Sequence, residues 1–247
     1  MQKMPVTPTM ALRLHYRERP DRAHVMYQRW DKLLFLHWRV SAEQIQSTLP
    51  PGLFVDTFDG SAWVAIVPFY MLGIRPRFCP PVPGISNFLE LNVRTYVHDE
   101  QGRPGVWFFS LDCNQSLAVW TARTFFHLPY QHAQMQATAQ GAQVDYRCQR
   151  RGAPKQSRYH YQIHEQTHLA EPGSLEFFVA ERYLLFAQTP AGIRCGQVNH
   201  VPYPLAEATV DSWDATPLEQ AGFAPGRPPD NILASPGVDV RIYALTK

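Results

Sequence analysis

The chain has 247 residues, of which 45% are hydrophobic and 13% aromatic, and this composition excludes a mostly disordered protein. Its formal net charge of +2 lacks the basic excess expected of a nucleic-acid-binding protein. The 22 prolines are about twice the average share and argue against a helical bundle, so we expect short strands joined by stiff loops.

Cysteine spacing and hydropathy bear on the cellular location expected for the protein. The four cysteines show no C-x-x-C spacing, which argues against a zinc ribbon or a redox motif. Residues 1–24 are polar and carry several arginines, so they do not resemble a secretory signal. The longest nearly uncharged apolar stretch, residues 61–74, is too short to cross a bilayer. We therefore expect a soluble, cytoplasmic protein with no membrane partner.

The N-terminal part of the chain predicts an arm followed by a strand-rich region. Residues 1–27 are expected to form a loose arm. Ser41 and Gln44 form a capping box that predicts a short helix. Asp59-Gly60 predicts a hairpin turn, and residues 75–84 predict a proline-rich loop. The predicted strands, in chain order, are residues 33–40, 54–58, 62–70, 88–97, 106–113, 133–139, 142–148, 158–166, 193–198 and 238–245.

Few helices interrupt these strands. Residues 115–126 predict a helix that is apolar nearly all round except at Arg123, and such a helix is expected to be buried. Residues 177–185 predict a second short helix, and residues 217–236 predict a proline-rich surface segment. No repeat or linker divides the chain. The pattern therefore predicts a single β-rich (α+β) domain over residues 1–247, a barrel or sandwich with attached helices.

The strand 88–97 carries the most informative pattern. A period of two places Leu89, Leu91, Val93 and Val97 on one face, and Phe88, Glu90, Asn92, Arg94 and Tyr96 on the other. Glu90 and Arg94 lie about 13 Å apart along the strand, so each needs a partner on a neighbouring strand. The polar face is either solvated or lines a cavity. Phe88 and Tyr96 favour the cavity, because large aromatic side chains seek cover.

The returning strand bears on the role of Glu90. The turn geometry places Asp112 or Cys113 across from Glu90. If Asp112 faces Glu90, the two carboxylates share a site and the pKa of one rises, which suits general acid–base catalysis by Glu90 and Asp112. Alternatively, Asp112 only prepares the N-terminus of the following helix, where negative charge is favoured.

Several arginines are candidates for binding an anion. Arg123, on the predicted buried helix, requires a carboxylate partner, and Glu90 and Asp112 are the candidates; a purely structural ion pair is the alternative. Arg39 ends the first strand and is expected to point into the same cavity. Arg182 is a weaker candidate. The predicted ligand-binding residues are Arg39, Arg94, Tyr96 and Arg123.

Neither a metal nor a cofactor is expected. His160, His164 and His168 are spaced by four, which on a helix would place them on one face. The alternation over residues 159–163 instead predicts a strand with these histidines facing outward. The chain also lacks a phosphate-binding loop, a dinucleotide fingerprint and a G-x-S-x-G motif.

A set of motifs between residues 28 and 245 resembles the YqjF-like family of unknown function. The motifs are His37-Trp38-Arg39-Val40, residues 55–60, Val67-Pro68-Phe69, residues 88–97, residues 105–112, Ala122-Arg123, Leu128-Pro129-Tyr130 and Glu181-Arg182-Tyr183. That family is similar in fold to acetoacetate decarboxylase. The resemblance implies a β-barrel or cone with a central polar cavity and flanking helices.

The resemblance also allows a comparison with decarboxylase chemistry. Those enzymes form a Schiff base on a cavity lysine, whose pKa is lowered by burial and a neighbouring cation. The comparable segment here, residues 112–116, contains no lysine. The position of Glu90 resembles the decarboxylase cavity carboxylate, and an arginine near the first strand also has a parallel. The resemblance therefore implies a retained pocket without the amine chemistry.

Three hypotheses for function follow. In the first, the cavity either binds or both binds and transforms a small anionic or carbonyl-bearing metabolite, with arginines as anchors and Glu90 orienting the ligand or exchanging a proton. In the second, the protein is a non-catalytic structural or interaction protein whose ion pairs only stabilise the barrel. The third is lysine-dependent decarboxylation. A small-molecule partner and a homo-oligomer, in particular a homodimer, are expected, and nucleic acid is not.

Overall fold

A computed structural model describes residues 5–246, and most of its secondary structure is β-strand. The strands are β1 (Met26–Val40), β2 (Leu53–Val55), β3 (Ala62–Pro76), β4 (Phe88–Asp99), β5 (Pro104–Cys113), β6 (Tyr130–Gln140), β7 (Gln143–Arg150), β8 (Ser157–His168), β9 (Leu184–Thr189), β10 (Gly192–Asn199), β11 (Leu205–Ser212) and β12 (Asn231–Ile242). The helices are α1 (Met10–His15), α2 (Ala42–Gln46), α3 (Ser116–Phe125), α4 (Leu175–Ala180) and α5 (Thr216–Gln220).

All of these strands belong to one sheet that closes on itself twice. The sheet follows the order β10-β9-β5-β6-β7-β8-β11-β12-β1-β3-β4-β2, and the further pairings β4–β5 and β10–β12 close it. The strands β12, β1, β3, β4 and β5 therefore form a wall shared by two rings. We call the ring that continues through β9 and β10 ring A, and the ring that continues through β6, β7, β8 and β11 ring B.

The rings diverge at β5 and at β12. Near its start β5 runs parallel to β9, at Val106 and Trp107, and near its end it runs parallel to β6. In the same way, β12 contacts β11 at Ala234 and β10 at its C-terminal end. Each of these two strands thus has different neighbours along its two halves, which separates the interiors of the rings.

The shared wall explains why its strands are buried on both faces. Every residue of β4 is buried. Phe88 and Tyr96 belong to the apolar core of ring A, whereas Leu91 and Val93 belong to that of ring B. The predicted division of this strand into two faces is confirmed, and the alternative of a solvated polar face is wrong because ring A covers that face.

The N-terminal arm is tied to the sheet by polar contacts. Thr9 caps α1 by accepting a hydrogen bond from the backbone N–H of Leu12. Arg13 forms an ion pair with Asp56 at 2.8 Å. The expectation of a loose arm is therefore wrong for the described part, while residues 1–4 of that arm lie outside it. The hydrophobic pattern does not predict this contact, because α1 buries no residue and is attached through the ion pair of Arg13 with Asp56.

The predicted helix over residues 115–126 is present as α3, but it is not buried. Val119 is its only buried residue, while Trp120 is 57% and Phe125 60% exposed. The prediction of burial is wrong because α3 lies over the end of ring A and packs on it through one side only. Ala118 and Ala122 pack against the core of ring A, and Leu117, Trp120 and Phe125 are exposed.

The predicted surface segment over residues 217–236 lies on the surface only in part. Leu218 and Phe223 are buried in the core of ring B, and β12 begins at Asn231. Most of the exposed residues of the segment lie between positions 219 and 230. The β-rich class with flanking helices is confirmed, although β9 and β11 were not predicted as strands.

The close approach of β5 to β9 predicts an intolerant position at Gly105. A Cβ atom there would lie 2.8 Å from the carbonyl oxygen of Leu184, which is backbone and cannot rotate away. We expect Gly105→Ala to lower the free energy of unfolding by about 1–3 kcal/mol, measured by urea denaturation.

Gly196→Ala is the matched control, because Gly196 is also buried in a strand. Its added Cβ would meet the flexible ends of Leu185 and Leu245 at 3.0 Å, so a smaller loss is expected. Equal losses in the two variants would contradict the backbone contact between β5 and β9.

Candidate functional site

Ring A encloses a cavity of about 440 Å³, a volume typical of small-molecule sites. Each of its strands contributes side chains to the lining. The contributions are Trp30 from β1, Met71 from β3, Glu90 and Arg94 from β4, Val106 and Leu111 from β5, Leu185 from β9, Val198 from β10 and Ile242 from β12. The wall is mainly apolar, with a small number of charged groups.

The two ends of the cavity differ in exposure. One end is lined by the loop that follows β3 and by α3, including the exposed residues Cys79, Val82 and Leu117, so this end is the mouth. The opposite end is lined by the buried residues Arg94 and Arg182, together with residues next to α4. The cavity therefore opens beside α3, and the arginines lie at its closed end.

Arg94 is a buried cation without a carboxylate partner in the described residues. Arg94 is only 8% exposed, and its Nε has no hydrogen-bond partner. One Nη donates to the carbonyl oxygen of Val179 at 3.2 Å. The guanidinium lies 5.5 Å from the ring centre of Phe35. These contacts position the group, but none of them neutralises its charge.

Arg182 lies at the same end and shares a carboxylate with the N-terminal arm. It pairs with Asp56 at 2.7 Å, and Arg13 pairs with the other oxygen of that carboxylate at 2.8 Å. Burial lowers the pKa of Arg182 to about 10, so it stays charged near neutral pH. Its second Nη has no partner. Arg13 and Arg182 therefore share the carboxylate of Asp56, and Arg94 is not bound to it.

The ring of Tyr96 packs against both Arg94 and Arg182. Both Arg94 and Arg182 lie over its ring, at 5.7 and 5.2 Å from the ring centre. Its hydroxyl is 2.9 Å from Nε2 of His37, whose Nδ1 faces the side-chain oxygen Oδ1 of Asn231. Burial lowers the pKa of His37 to about 3, so the imidazole is neutral. Nδ1 then donates to Asn231, and Tyr96 donates to Nε2. Tyr96, a predicted ligand-binding residue, does not line the cavity.

Glu90 provides the second polar position on the wall. It is 3% exposed and accepts a hydrogen bond of 2.6 Å from the hydroxyl of Tyr130. Burial raises the pKa of Glu90 to about 7, although the bond from Tyr130 acts in the opposite direction. This carboxyl group can therefore hold or release a proton near neutral pH.

Asp112 does not share the site with Glu90. In the register of β4 and β5, Cys113 lies opposite Glu90 and Asp112 lies opposite Leu91. Asp112 faces ring B, where Arg150 binds it through two nitrogens at 2.7 and 3.2 Å. The predicted pair of carboxylates is wrong by one residue of register, which in a strand means the opposite face.

Two predicted anchors also lie away from the cavity. Arg39 is exposed at the end of β1, over the ring of Trp63 at 5.1 Å, and does not line the cavity. Arg123 is exposed on α3 and donates to the carbonyl oxygen of Tyr130 at 2.6 Å and to Gln131. It contacts neither Glu90 nor Asp112, because its helix lies outside the ring.

No lysine lines the cavity among the described residues. Lys32 donates to the carbonyl oxygen of Gly141, and Lys155 pairs with Asp214. Lys3 and Lys247 lie outside the described residues. Across residues 5–246, no cluster of three or more metal-ligating side chains occurs, and no helix is long and apolar enough to span a membrane.

The residues that sequence reasoning missed make long-range contacts. Tyr130 reaches Glu90 across 40 positions of sequence, and Asp56 reaches Arg182 across 126. Asp56 and Tyr130 belong to motifs that carry the family resemblance, and no local pattern assigns either residue a role. The parallel pairing of β5 with β6 brings Tyr130 close to Glu90, and no local pattern in the sequence predicts this pairing.

The raised pKa of Glu90 predicts a pH-dependent stability. Between about pH 4.5 and 7 the folded protein keeps a proton that the unfolded chain has lost, so this group lowers stability as the pH rises. Glu90→Gln does not titrate. Between pH 5 and 8 the free energy of unfolding of this variant, relative to the wild type, is expected to rise by about 2 kcal/mol.

Urea denaturation at a series of pH values measures this difference. Tyr130→Phe is the companion variant, and it should move the transition to higher pH because it removes the bond that lowers the pKa of Glu90. A difference between Glu90→Gln and wild type that is constant with pH would contradict the assignment.

The position of Asp112 predicts a structural role only. Asp112→Asn weakens a buried bidentate ion pair and is expected to cost about 2–4 kcal/mol of unfolding free energy, measured by urea denaturation. Asp145→Asn is the control, since Arg158 binds Asp145 through two nitrogens at the surface, where the loss should stay below about 1 kcal/mol. Equal losses in the two variants would contradict this account.

Comparison with known proteins relates this geometry to a family. Residues 27–239 match the family DUF2071, described as an uncharacterized conserved protein. The chain is 38% identical over 194 residues to the uncharacterized protein YqjF of Bacillus subtilis (strain 168), which covers 78% of this chain and 79% of that protein.

Solved structures with this fold include enzymes. An acetoacetate decarboxylase-like enzyme from Sphingomonas wittichii RW1 is 15% identical with a TM-score of 0.60, covering 91% of this chain and 93% of that one. The enduracididine biosynthesis enzyme MppR complexed with pyruvate is 14% identical with a TM-score of 0.56, covering 92% and 91%. Acetoacetate decarboxylase from Legionella pneumophila is 9% identical with a TM-score of 0.57, covering 92% and 90%. The family match and these likenesses together show that the chain belongs to the YqjF-like DUF2071 family and has an acetoacetate decarboxylase-like fold.

Proposed function

We propose that this protein binds a small metabolite bearing a carboxylate, with or without a carbonyl group, in the cavity of ring A. The observation that carries the proposal is Arg94, a buried guanidinium that lines the cavity and has no carboxylate partner among residues 5–246. A buried charge without a counter-charge is costly, so the site favours an anion that supplies one.

The surrounding charges support the same conclusion. Arg13 and Arg182 already share Asp56, which leaves the closed end with more positive than negative charge. Arg182 also retains a nitrogen without a partner. A carboxylate is the natural complement, because a guanidinium binds its two oxygens with parallel hydrogen bonds.

The apolar wall indicates the rest of the ligand. Between the arginines and the mouth, the lining includes Met71, Phe88, Leu111 and Val198. Such a wall favours a hydrocarbon or aromatic body over a highly polar one such as a sugar phosphate. The proposed ligand is therefore an organic acid, and an inorganic anion would leave the apolar wall without a partner.

One of the solved structures of similar fold supports a carboxylate ligand, and the lining of this cavity argues against amine catalysis. The structure of MppR is a complex with pyruvate, a 2-oxo carboxylate bound by a protein of similar fold. In this chain the segment after Leu111 reads Asp112-Cys113-Asn114, and no lysine occurs in the described lining. Any transformation of the ligand would instead use Glu90, whose pKa of about 7 suits proton exchange.

A purely structural role for the charges explains only part of the site. The group of Arg13, Asp56 and Arg182 would stabilise the fold in either case, because it is internally paired. Arg94 has no such partner, and a structural protein gains nothing by burying it. This residue therefore separates the ligand-binding hypothesis from the structural one.

The proposal includes a cytoplasmic location and a homodimer. All four cysteines are free, which suits a reducing compartment. The exposed side chains of Leu117, Trp120 and Phe125 on α3 are of the kind that a contact between subunits would cover.

Arg94→Gln tests the proposed function. With hexanoate as the probe, we expect the thermal stability of the wild type to rise with ligand concentration, whereas hexanamide of the same shape gives no gain. The variant should bind hexanoate at least about tenfold more weakly, because it loses the charged hydrogen bonds. Differential scanning fluorimetry and calorimetric titration measure both effects.

Arg39→Gln is the matched control, since it removes an exposed arginine outside the cavity and should leave binding unchanged. Equal hexanoate affinity in wild type and Arg94→Gln would overturn the proposal. So would an equal response to hexanoate and hexanamide.

A further inference from the structure

Two polar positions on β4 face the same cavity at a fixed separation. Glu90 and Arg94 both line it and lie four residues apart on one strand, or about 13 Å along the wall. Asn92 lies between them on the same face, opposite Leu111 of β5. A strand in the middle of a closed sheet cannot stretch, so the distance between Glu90 and Arg94 is fixed. We call this fixed distance, which would select ligands by length, the ruler.

Each position has bonding capacity that the protein leaves unused. At the closed end, Nε of Arg94 and one Nη of Arg182 have no partner. At the other position, Tyr130 binds one oxygen of Glu90, and the described residues offer no hydrogen bond to the second oxygen. Buried polar atoms are normally paired, so these atoms indicate polar groups that come from a ligand.

We propose that the ligand is bifunctional, with a carboxylate at Arg94 and Arg182 and a hydroxyl or carbonyl group at Glu90, joined by a hydrocarbon chain. This inference rests on the proposed function, because it takes the carboxylate at Arg94 as given. The separation of about 13 Å along the strand between the positions of Glu90 and Arg94 corresponds to a hydrocarbon chain of roughly eight to ten bonds. The substrate class is thus a medium-chain organic acid oxygenated at its far end.

The two positions would recognise different features of that ligand. The arginines require a permanent anion, and an amide or ester in its place is rejected. Glu90 accepts a hydrogen bond from a hydroxyl when it is ionised, and donates one to a carbonyl when it is protonated. A saturated methyl end would leave Glu90 without its partner, so an unsubstituted fatty acid of equal length should bind less well.

A chain-length series tests the ruler. The probes are ω-hydroxy carboxylates of six, eight, ten and twelve carbons, each compared with the unsubstituted carboxylate of equal length by calorimetric titration. We expect the hydroxyl to improve affinity about tenfold at eight to ten carbons and to have little effect at six. In the double variant Glu90→Met with Tyr130→Phe, that preference should disappear.

The outcomes distinguish this inference from the proposed function. If the carboxylates bind through Arg94 but the hydroxyl has no effect at any length, the ruler is wrong and the proposed function stands. If none of the carboxylates binds the wild type, the proposed function fails and the ruler with it. A hydroxyl preference that survives in the folded double variant would also overturn the role of Glu90.

Glu90→Gln provides a second measurement in case the double variant does not fold. In the wild type, the preference for the hydroxyl should grow between pH 6 and 8, as Glu90 ionises and becomes a better acceptor. In Glu90→Gln the preference should be independent of pH over the same range. The same pH dependence in both proteins would contradict the inference.

Discussion

Both faces of β4 are covered, and this constraint determines the electrostatics of the whole cavity. A charged residue on an ordinary antiparallel strand can turn toward water, but β4 lies in a wall between two closed rings. Arg94 must therefore keep its charge inside the protein. The surrounding structure supplies a helix carbonyl and aromatic rings, but not a carboxylate.

The same wall separates two kinds of interior. Ring B is filled by large side chains such as Tyr146, Tyr159 and Tyr161, and its buried carboxylate, Asp112, is fully matched by Arg150. Ring A retains an open cavity, and its charges are only partly matched. A filled core with paired charges is what stability requires. An open interior with an excess of positive charge costs stability, and a bound anion would offset that cost.

The sequence predicted the elements of this site better than their relations. The alternation along β4 correctly placed Glu90 and Arg94 on one face, because the strand is regular and its period is two. The register of β5 was uncertain by one residue, and that residue decided whether Asp112 faced the cavity or ring B. The apolar pattern of α3 predicted a helix correctly but gave the wrong burial, since a helix over a cavity mouth exposes apolar residues too.

Other parts of the site depend on how the sheet closes. Arg182 meets Asp56 only because α4 lies beside the wall, and Arg13 joins them from an arm without apolar anchors. Such contacts leave no periodic trace in the chain. They are fixed by the pairings of β5 with β9 and of β12 with β10, which no local pattern specifies.

A crystal structure with 6-bromohexanoate tests the central claim most directly, because bromine can be located by its anomalous signal. We predict the carboxylate within about 3 Å of the nitrogens of Arg94, with the bromine directed along β4 toward Glu90. A carboxylate at the mouth with the bromine inside the cavity, or an empty cavity at saturating ligand, would contradict the claim that Arg94 is there to bind an anion.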